Sequence, residues 1–315
     1  MLTNVDKSQT CIAVDDEDIL EELLRDKRSP QTRRAYAKDL KDFFGFLKVD
    51  PTPENVGWFL SLSQTEAVKF VLRYKSSLRD RSLAPATINR RLAAIKSLVA
   101  YAEKTGRCSF LLTRIEGEKV QPYRDTTGVD GKAIAKMLAM PDRETERGKR
   151  DYAILRLLWG LALRRSEVVN LNVGDVDLDS GCIWVTGKGK GDKERMSLGS
   201  KVRQALQDWL KVYKPLRFSL PLFCSLARNS KKVERLSDDH VYKLVRSTAQ
   251  KAGISKPMSP HKIRHSAITA ALDNGADVRS VRKLSRHSKL ETLCIYDDNR
   301  SDLQGDITRL LEKEV

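Results

Sequence analysis

Apolar residues recur at spacings of three and four from Asp18 to about Gly106, and this feature restricts the first third of the chain to packed helices. Ile19, Leu20, Leu23 and Leu24 form one stripe, and Tyr36, Leu40, Phe43, Phe44 and Leu47 form the next. Turn chemistry marks the breaks. Ser29-Pro30 opens a second helix, Asp50-Pro51-Thr52-Pro53 interrupts, and Ala84-Pro85 leads into PATINRRLAAIKSLVAYAEKTG, which stops at Gly106. The expected unit is an all-helical domain of four or five helices over residues 17–111, behind an acidic tail at 1–16. In its last helix Ile88, Leu92, Ile95 and Leu98 make an inward stripe, while Arg90, Arg91 and Lys96 point elsewhere.

The helical period is lost over LTRIEGEKVQPYRDTTG, so an interdomain linker is expected at 112–128, with a second domain over 129–315. There, Lys132 to Met140 and Arg150 to Leu171 read as helices. GCIWVTGKGKGDKERMSL then switches to period two, and its glycine-lysine centre turns without Cβ strain, which makes a hairpin. Helices return from Lys201, with SLPLFCS as a candidate third short strand. The fold class is mainly α with a small antiparallel β-sheet, an α+β arrangement.

Charge narrows the partner. The chain has 58 Lys+Arg and 42 Asp+Glu, a net charge of +16. Residues 1–30 are net −4, 31–120 net +8 and 121–315 net +12, so both domains are cationic and the amino-terminal tail is not. Such surfaces attract polyanions through counterion release, although a basic surface also aids solubility. Arg90, Arg91 and Lys96 are therefore candidate DNA contacts, or simply a solvated helix face. Cys11, Cys108, Cys182, Cys224 and Cys294 are scattered and form no CxxC pair, which argues against a disulfide framework or zinc knuckle and suits a reducing cytosol. The first residues do not read as a signal peptide, and no run of about 18 apolar residues suggests a membrane span.

Two segments carry candidate chemistry. In SPHKIRHSAITAALDNGADV, Ser259 is an expected N-cap and Pro260 the first helical residue, so His261 and Arg264 share a face near a helix start. The macrodipole disfavours a basic pair there unless an anion lies beside it. In LRLLWGLALRRSEVVNL, Arg164 lies close to an apolar face, with Glu167 three residues on as its partner; on this segment alone an ordinary intrahelical ion pair is the favoured reading. His265 reads as packing or buttressing, His240 as surface, and the histidine spacings do not suggest a metal site.

In order, Arg164, the glycine-lysine hairpin, His261-x-x-Arg264, His287 and Tyr296 resemble a tyrosine recombinase of the phage-integrase type, over roughly residues 17–298. ALRRSEVVNL resembles that family's GLRxSELxxL box, GKGDKER its lysine hairpin, HKIRHSAITAALDNGAD its HxLRHTxAxxLxxxGxx box, and SRHSKLETLCIYDD its LGHxxxxTTxxYxH box. The resemblance implies a helical SAM-like core-binding domain ahead of a mixed α/β catalytic domain. It implies a site-specific DNA recombinase that clamps double-stranded DNA and works through a 3′-phosphotyrosyl intermediate, with no metal or nucleotide cofactor.

On that reading Tyr296 is the nucleophile, Arg164 and Arg264 bind the non-bridging phosphate oxygens, His261 accepts the phenol proton and His287 donates a further hydrogen bond. Lys190 matches the family's general acid, with Lys188 left as the alternative; Lys188, Lys193 and Arg195 of the hairpin are candidate DNA contacts. The resemblance further implies a homo-tetramer on DNA, monomeric or dimeric when free, in the cytoplasm at the nucleoid and away from membranes. With only an acidic tail ahead of residue 17, no separate arm-binding domain is expected. A tail helix at 299–315, with Ile307, Leu310 and Leu311 as its apolar face, is expected to dock on a neighbouring protomer. Departures from the pattern are Ser285-Arg286 for the usual Leu-Gly, Ala162 for a glycine, and Leu293 for a threonine. A type IB topoisomerase-like enzyme and a non-catalytic DNA-binding protein are the competing readings.

Overall fold

The computed structural model describes residues 18–120, 128–187, 192–226 and 233–287, together with Leu293, Gly305, Thr308 and Glu312. The chain divides into two compact units, Met1–Pro122 and Tyr123–Val315.

The first unit is five helices: α1 (Ile19–Asp26), α2 (Pro30–Phe46), α3 (Pro53–Ser61), α4 (Gln64–Asp80) and α5 (Pro85–Lys104). Their starts follow the expected punctuation. Ser29 and Thr52 cap α2 and α3 with a proline behind each, and Ser63 and Glu66 form a reciprocal capping box on α4. The apolar faces meet around Phe43, whose ring packs edge-on against Phe44, Phe59 and Tyr74.

Two expectations change here. The first part of the expected linker is fastened to the helices: Leu112 and Ile115 are buried, Lys75 Nζ donates to Glu116 O at 2.7 Å, and Asn89 exchanges two hydrogen bonds with the Glu118 backbone. Burial of two apolar side chains outweighs the loss of helical period. Arg91 is also not outward-facing. It is buried, bonds to Asp42, and lies 3.9 Å from Asp39, while Tyr74 Oη and Arg81 donate to Asp42 as well. Arg90 pairs with the buried Asp39, and Lys96 Nζ donates to Ile115 O. A cation near an apolar face needs such partners, because leaving it unpaired costs several kcal/mol.

The second unit comprises α6 (Gly131–Ala139), α7 (Glu146–Gly160), α8 (Arg165–Asn170), a three-stranded antiparallel sheet, α9 (Ser200–Tyr213), α10 (Asp238–Lys251), α11 (Pro260–Asp273) and α12 (Val278–Ser285). The core gathers around α7, with Ile154, Leu155, Leu157 and Leu158 packed among Ile183, Val185, Leu206, Trp209 and Phe223. Strands β1 (Val176–Asp177), β2 (Cys182–Thr186) and β3 (Lys193–Ser197) lie in that order, and the β2–β3 register pairs Cys182 with Ser197 and Thr186 with Lys193. The expected hairpin is present, with residues 188–191 of its turn outside the described set.

SLPLFCS does not supply the third strand. Pro221 and Cys224 make only isolated bridges, to Asn172 and Arg235, and β1 takes the sheet position. The helix expected from Arg150 to Leu171 is broken: α7 ends at Gly160, and Ala162 turns left-handed with φ 46° before α8 begins. His240 is not a plain surface residue either. Its Nε2 lies 3.2 Å from the guanidinium of Arg150, which is buried and held by Asp151 and Cys224 O. Among the described residues, no helix is long and apolar enough to cross a membrane.

Candidate active site

Helix α11 starts where its sequence dictates. Ser259 Oγ accepts from Lys262 N at 3.2 Å, and Pro260 occupies the first helical position. The start of the unit is locked onto this helix. Val129 N donates to Ser266 Oγ at 2.8 Å, and a Cβ on Gly128 would fall 2.2 Å from the same oxygen. Arg264 projects from α11 and is only 1% exposed. One guanidinium nitrogen donates to Ala162 O at 2.5 Å; the other donates to Ser285 O and lies 3.3 Å from His287 Nε2. Three remote segments, at Ala162, α11 and Ser285 to His287, thus converge on one cation.

Arg164 is the N-cap of α8. Its backbone N donates to Glu167 Oε2 and its guanidinium to Glu167 Oε1, both at 2.7 Å, so the sequence-adjacent carboxylate aims the side chain. Its other guanidinium nitrogen donates to Arg286 O at 3.3 Å. The consecutive carbonyls of Ser285 and Arg286 therefore hold the two arginines. Arg286 ends α12 in the left-handed conformation, with φ 54°. Ala162 and Arg286 are the two places where the sequence departs from a family glycine, and both have positive φ. Each L residue there carries a backbone cost of about 1–2 kcal/mol.

The histidines join the same cluster. His287 is pushed down to about 4, first by burial and then by Arg264 and Arg164, with His265 and His261 contributing; it is neutral at neutral pH. His261 is lowered by the same kinds of cause: partial desolvation, then Arg264 and Arg164. Its Nε2 lies 2.7 Å from Nε2 of His265, with the rings edge-on. Burial alone would raise the Glu167 carboxyl, but Arg286 and Arg164 outweigh it and hold it below the usual range. Two guanidiniums with neutral imidazoles beside them make a cradle for a tetrahedral oxyanion, and the same imidazoles can accept or donate a proton.

Arg164, His261, Arg264 and His287 are thus brought together, whereas Lys188, Lys190, Tyr296, Ile307, Leu310 and Leu311 lie outside the described residues. Leu293 is fully buried in an apolar cluster with Ala162, Ala267, Ile268, Leu272 and Val281. On the hairpin, Lys193 pairs with the buried Asp175, while Arg195 is exposed opposite Trp184. Ala162, Ser285 and Arg286 escaped the reading of the sequence as site residues. Ala162 and Ser285 contribute backbone carbonyls, which no residue type signals, and Arg286 adds to its carbonyl a guanidinium whose pairing with Glu167 spans 119 residues.

Comparison with known proteins adds to the geometry. The model described as "Phage integrase family" matches residues 129–302, and that described as "Phage integrase, N-terminal SAM-like domain" matches residues 17–106. A tyrosine recombinase of Synechococcus elongatus is 52% identical over 311 residues, covering 98% of this chain and 97% of that one. A tyrosine recombinase of Synechocystis sp. is 50% identical, covering 94% and 95%. Among solved structures, the XerH site-specific recombinase bound to a palindromic difH substrate in a post-cleavage complex has a TM-score of 0.66 at 20% identity, covering 93% of this chain and 84% of that one. That likeness is one of fold.

Proposed function

This chain belongs to the phage integrase family, and from that premise we propose that it is a site-specific recombinase that cuts and rejoins double-stranded DNA through Tyr296. The observation that carries the residue assignment is the pair of carbonyls, Ser285 O and Arg286 O, that hold Arg264 and Arg164 beside His261 and His287. The phenol oxygen of Tyr296 attacks phosphorus and the bond to the 5′ oxygen breaks, leaving a 3′-phosphotyrosyl ester and a free 5′ hydroxyl. His261, held neutral, takes the phenol proton; Lys190 supplies the proton to the departing 5′ oxygen, with Lys188 as its rival. Arg164 and Arg264 neutralise charge that grows on the non-bridging oxygens, and His287 adds a hydrogen bond. Storing the bond energy in the ester makes the reverse step possible on a second duplex without nucleotide or metal.

Exchange between two duplexes calls for four such sites, hence a tetramer on DNA, with residues 299–315 docking on a neighbour. The protein then acts in the cytoplasm at the nucleoid, through a core-binding domain at 17–111 and a catalytic domain at 129–315. Leu293, anchored in its apolar cluster, tethers the chain three residues before Tyr296.

The test begins by sequencing genomic DNA retained by the Tyr296→Phe protein, which defines the site. A nicked suicide duplex carrying that site should trap a covalent adduct with the natural protein and none with Tyr296→Phe. Binding without any adduct sinks the catalytic reading, and relaxation of supercoils without strand exchange points to a topoisomerase instead.

A further inference from the structure

Arg286 stands where the family pattern has glycine, in a backbone conformation that glycine adopts freely, yet its side chain is only 3% exposed and its contacts are specific. One guanidinium nitrogen lies 2.7 Å from Glu167 Oε2; the other donates to Leu284 O at 2.7 Å and lies 2.9 Å from Met196 Sδ on β3. Glu167 is itself only 2% exposed and already holds Arg164 through its other oxygen and through the Arg164 backbone N. One buried carboxylate thus bridges two guanidiniums. Arg164 and Glu167 alone sum to zero charge, and a phosphate would meet an arginine whose field is cancelled by its own orienting group. With Arg286 on the far oxygen, the trio carries a net positive charge, and Arg164 alone has its exposed fraction available to an anion.

We propose that Arg286 is a positioning residue for Arg164: it neutralises the buried Glu167 carboxylate that aims Arg164, so that the charge of Arg164 is available to the scissile phosphate. The same residue offers its carbonyl to Arg164, so side chain and backbone act on one group from two directions. A glycine would keep the carbonyl and the turn while removing the cation, which separates the two contributions experimentally. This inference rests on the reading that Arg164 binds the phosphate.

The test uses the full chain and the nicked duplex carrying the site enriched by Tyr296→Phe, with adduct formation followed in single turnover and DNA affinity measured alongside. Arg286→Gly should slow adduct formation by about tenfold or more with affinity within about twofold, because the loss falls on transition-state charge. Arg286→Lys should recover most of the rate. In a Glu167→Gln background, where no carboxylate needs neutralising, Arg286→Gly should cost little further. A merely structural residue gives no rescue by lysine and the same loss in both backgrounds; either result overturns the proposal, as does a natural rate in Arg286→Gly. If Arg286→Gly does not fold, Arg286→Lys against Arg286→Gln makes the comparison, and equal rates overturn it. Should the natural protein form no adduct, the proposed function falls and takes this inference with it; an adduct with indifferent Arg286 variants removes the inference alone.

Discussion

The carbonyl oxygen of Ala162, a residue whose own φ is 46°, accepts a hydrogen bond from Arg264 at 2.5 Å across 102 residues of chain. The left-handed turn that ends α7 therefore also holds a buried cation.

Three effects compete in Ala162→Gly. Relief of left-handed strain gains about 1–2 kcal/mol, loss of the buried methyl costs about 0.8 kcal/mol, and the freer unfolded chain costs about 0.4–1 kcal/mol. The expected result is a stability within about 1 kcal/mol of the natural protein, with adduct formation retained. Ala162→Val puts a β-branched residue at positive φ and should destabilise by about 2 kcal/mol or more while slowing cleavage. Denaturant melts with single-turnover cleavage decide; a Val variant as stable and active as the natural chain removes the link between turn and arginine.

His265 hands its ring to His261, Nε2 to Nε2 at 2.7 Å, so one ring donates and the other accepts. His265→Ala leaves His261 without that orienting bond, and cleavage should slow by about tenfold without loss of DNA affinity. An unchanged rate would mean that His261 is held well enough by its helix alone.

The depressed His287 has a consequence for pH. Near pH 5 the folded protein binds fewer protons at this ring than the unfolded chain does, since the ring titrates at about 4 when folded against an ordinary 6.5. Its contribution to stability is whole above pH 6.5 and is lost as pH falls towards 4. A ring-proton NMR titration of the DNA-free protein should show a midpoint near 4, and bound DNA should move it upward as phosphate offsets the two arginines. A midpoint near 6.5 without DNA contradicts the buried cationic setting.

Salt dependence separates the basic residues of the two units. Arg91, enclosed by Asp39 and Asp42, should behave as a structural residue: Arg91→Ala lowers the thermal midpoint and leaves the slope of DNA affinity against salt unchanged. Arg195, exposed on β3, should behave as a phosphate contact, with Arg195→Ala reducing the slope by about one and sparing stability. The opposite pair of results would return Arg91 to the DNA-facing surface.

Legible in the sequence alone were the helical first unit, the helix starts at Ser29 and Ser259, the β2–β3 hairpin and the candidate order Arg164, His261, Arg264, His287, Tyr296. These follow from local causes: apolar period, capping side chains, proline at the first helical position and residue chemistry. What each arginine does was settled by packing. Arg91 and Arg286 are both buried with carboxylates, one in a helical unit's ion network and the other beside the site, and Arg264 is held by carbonyls from two remote turns. Their partners lie from 21 to 119 residues away, and burial and pairing are set when distant segments pack. Before that packing, every guanidinium in the chain has the same charge and the same five donors.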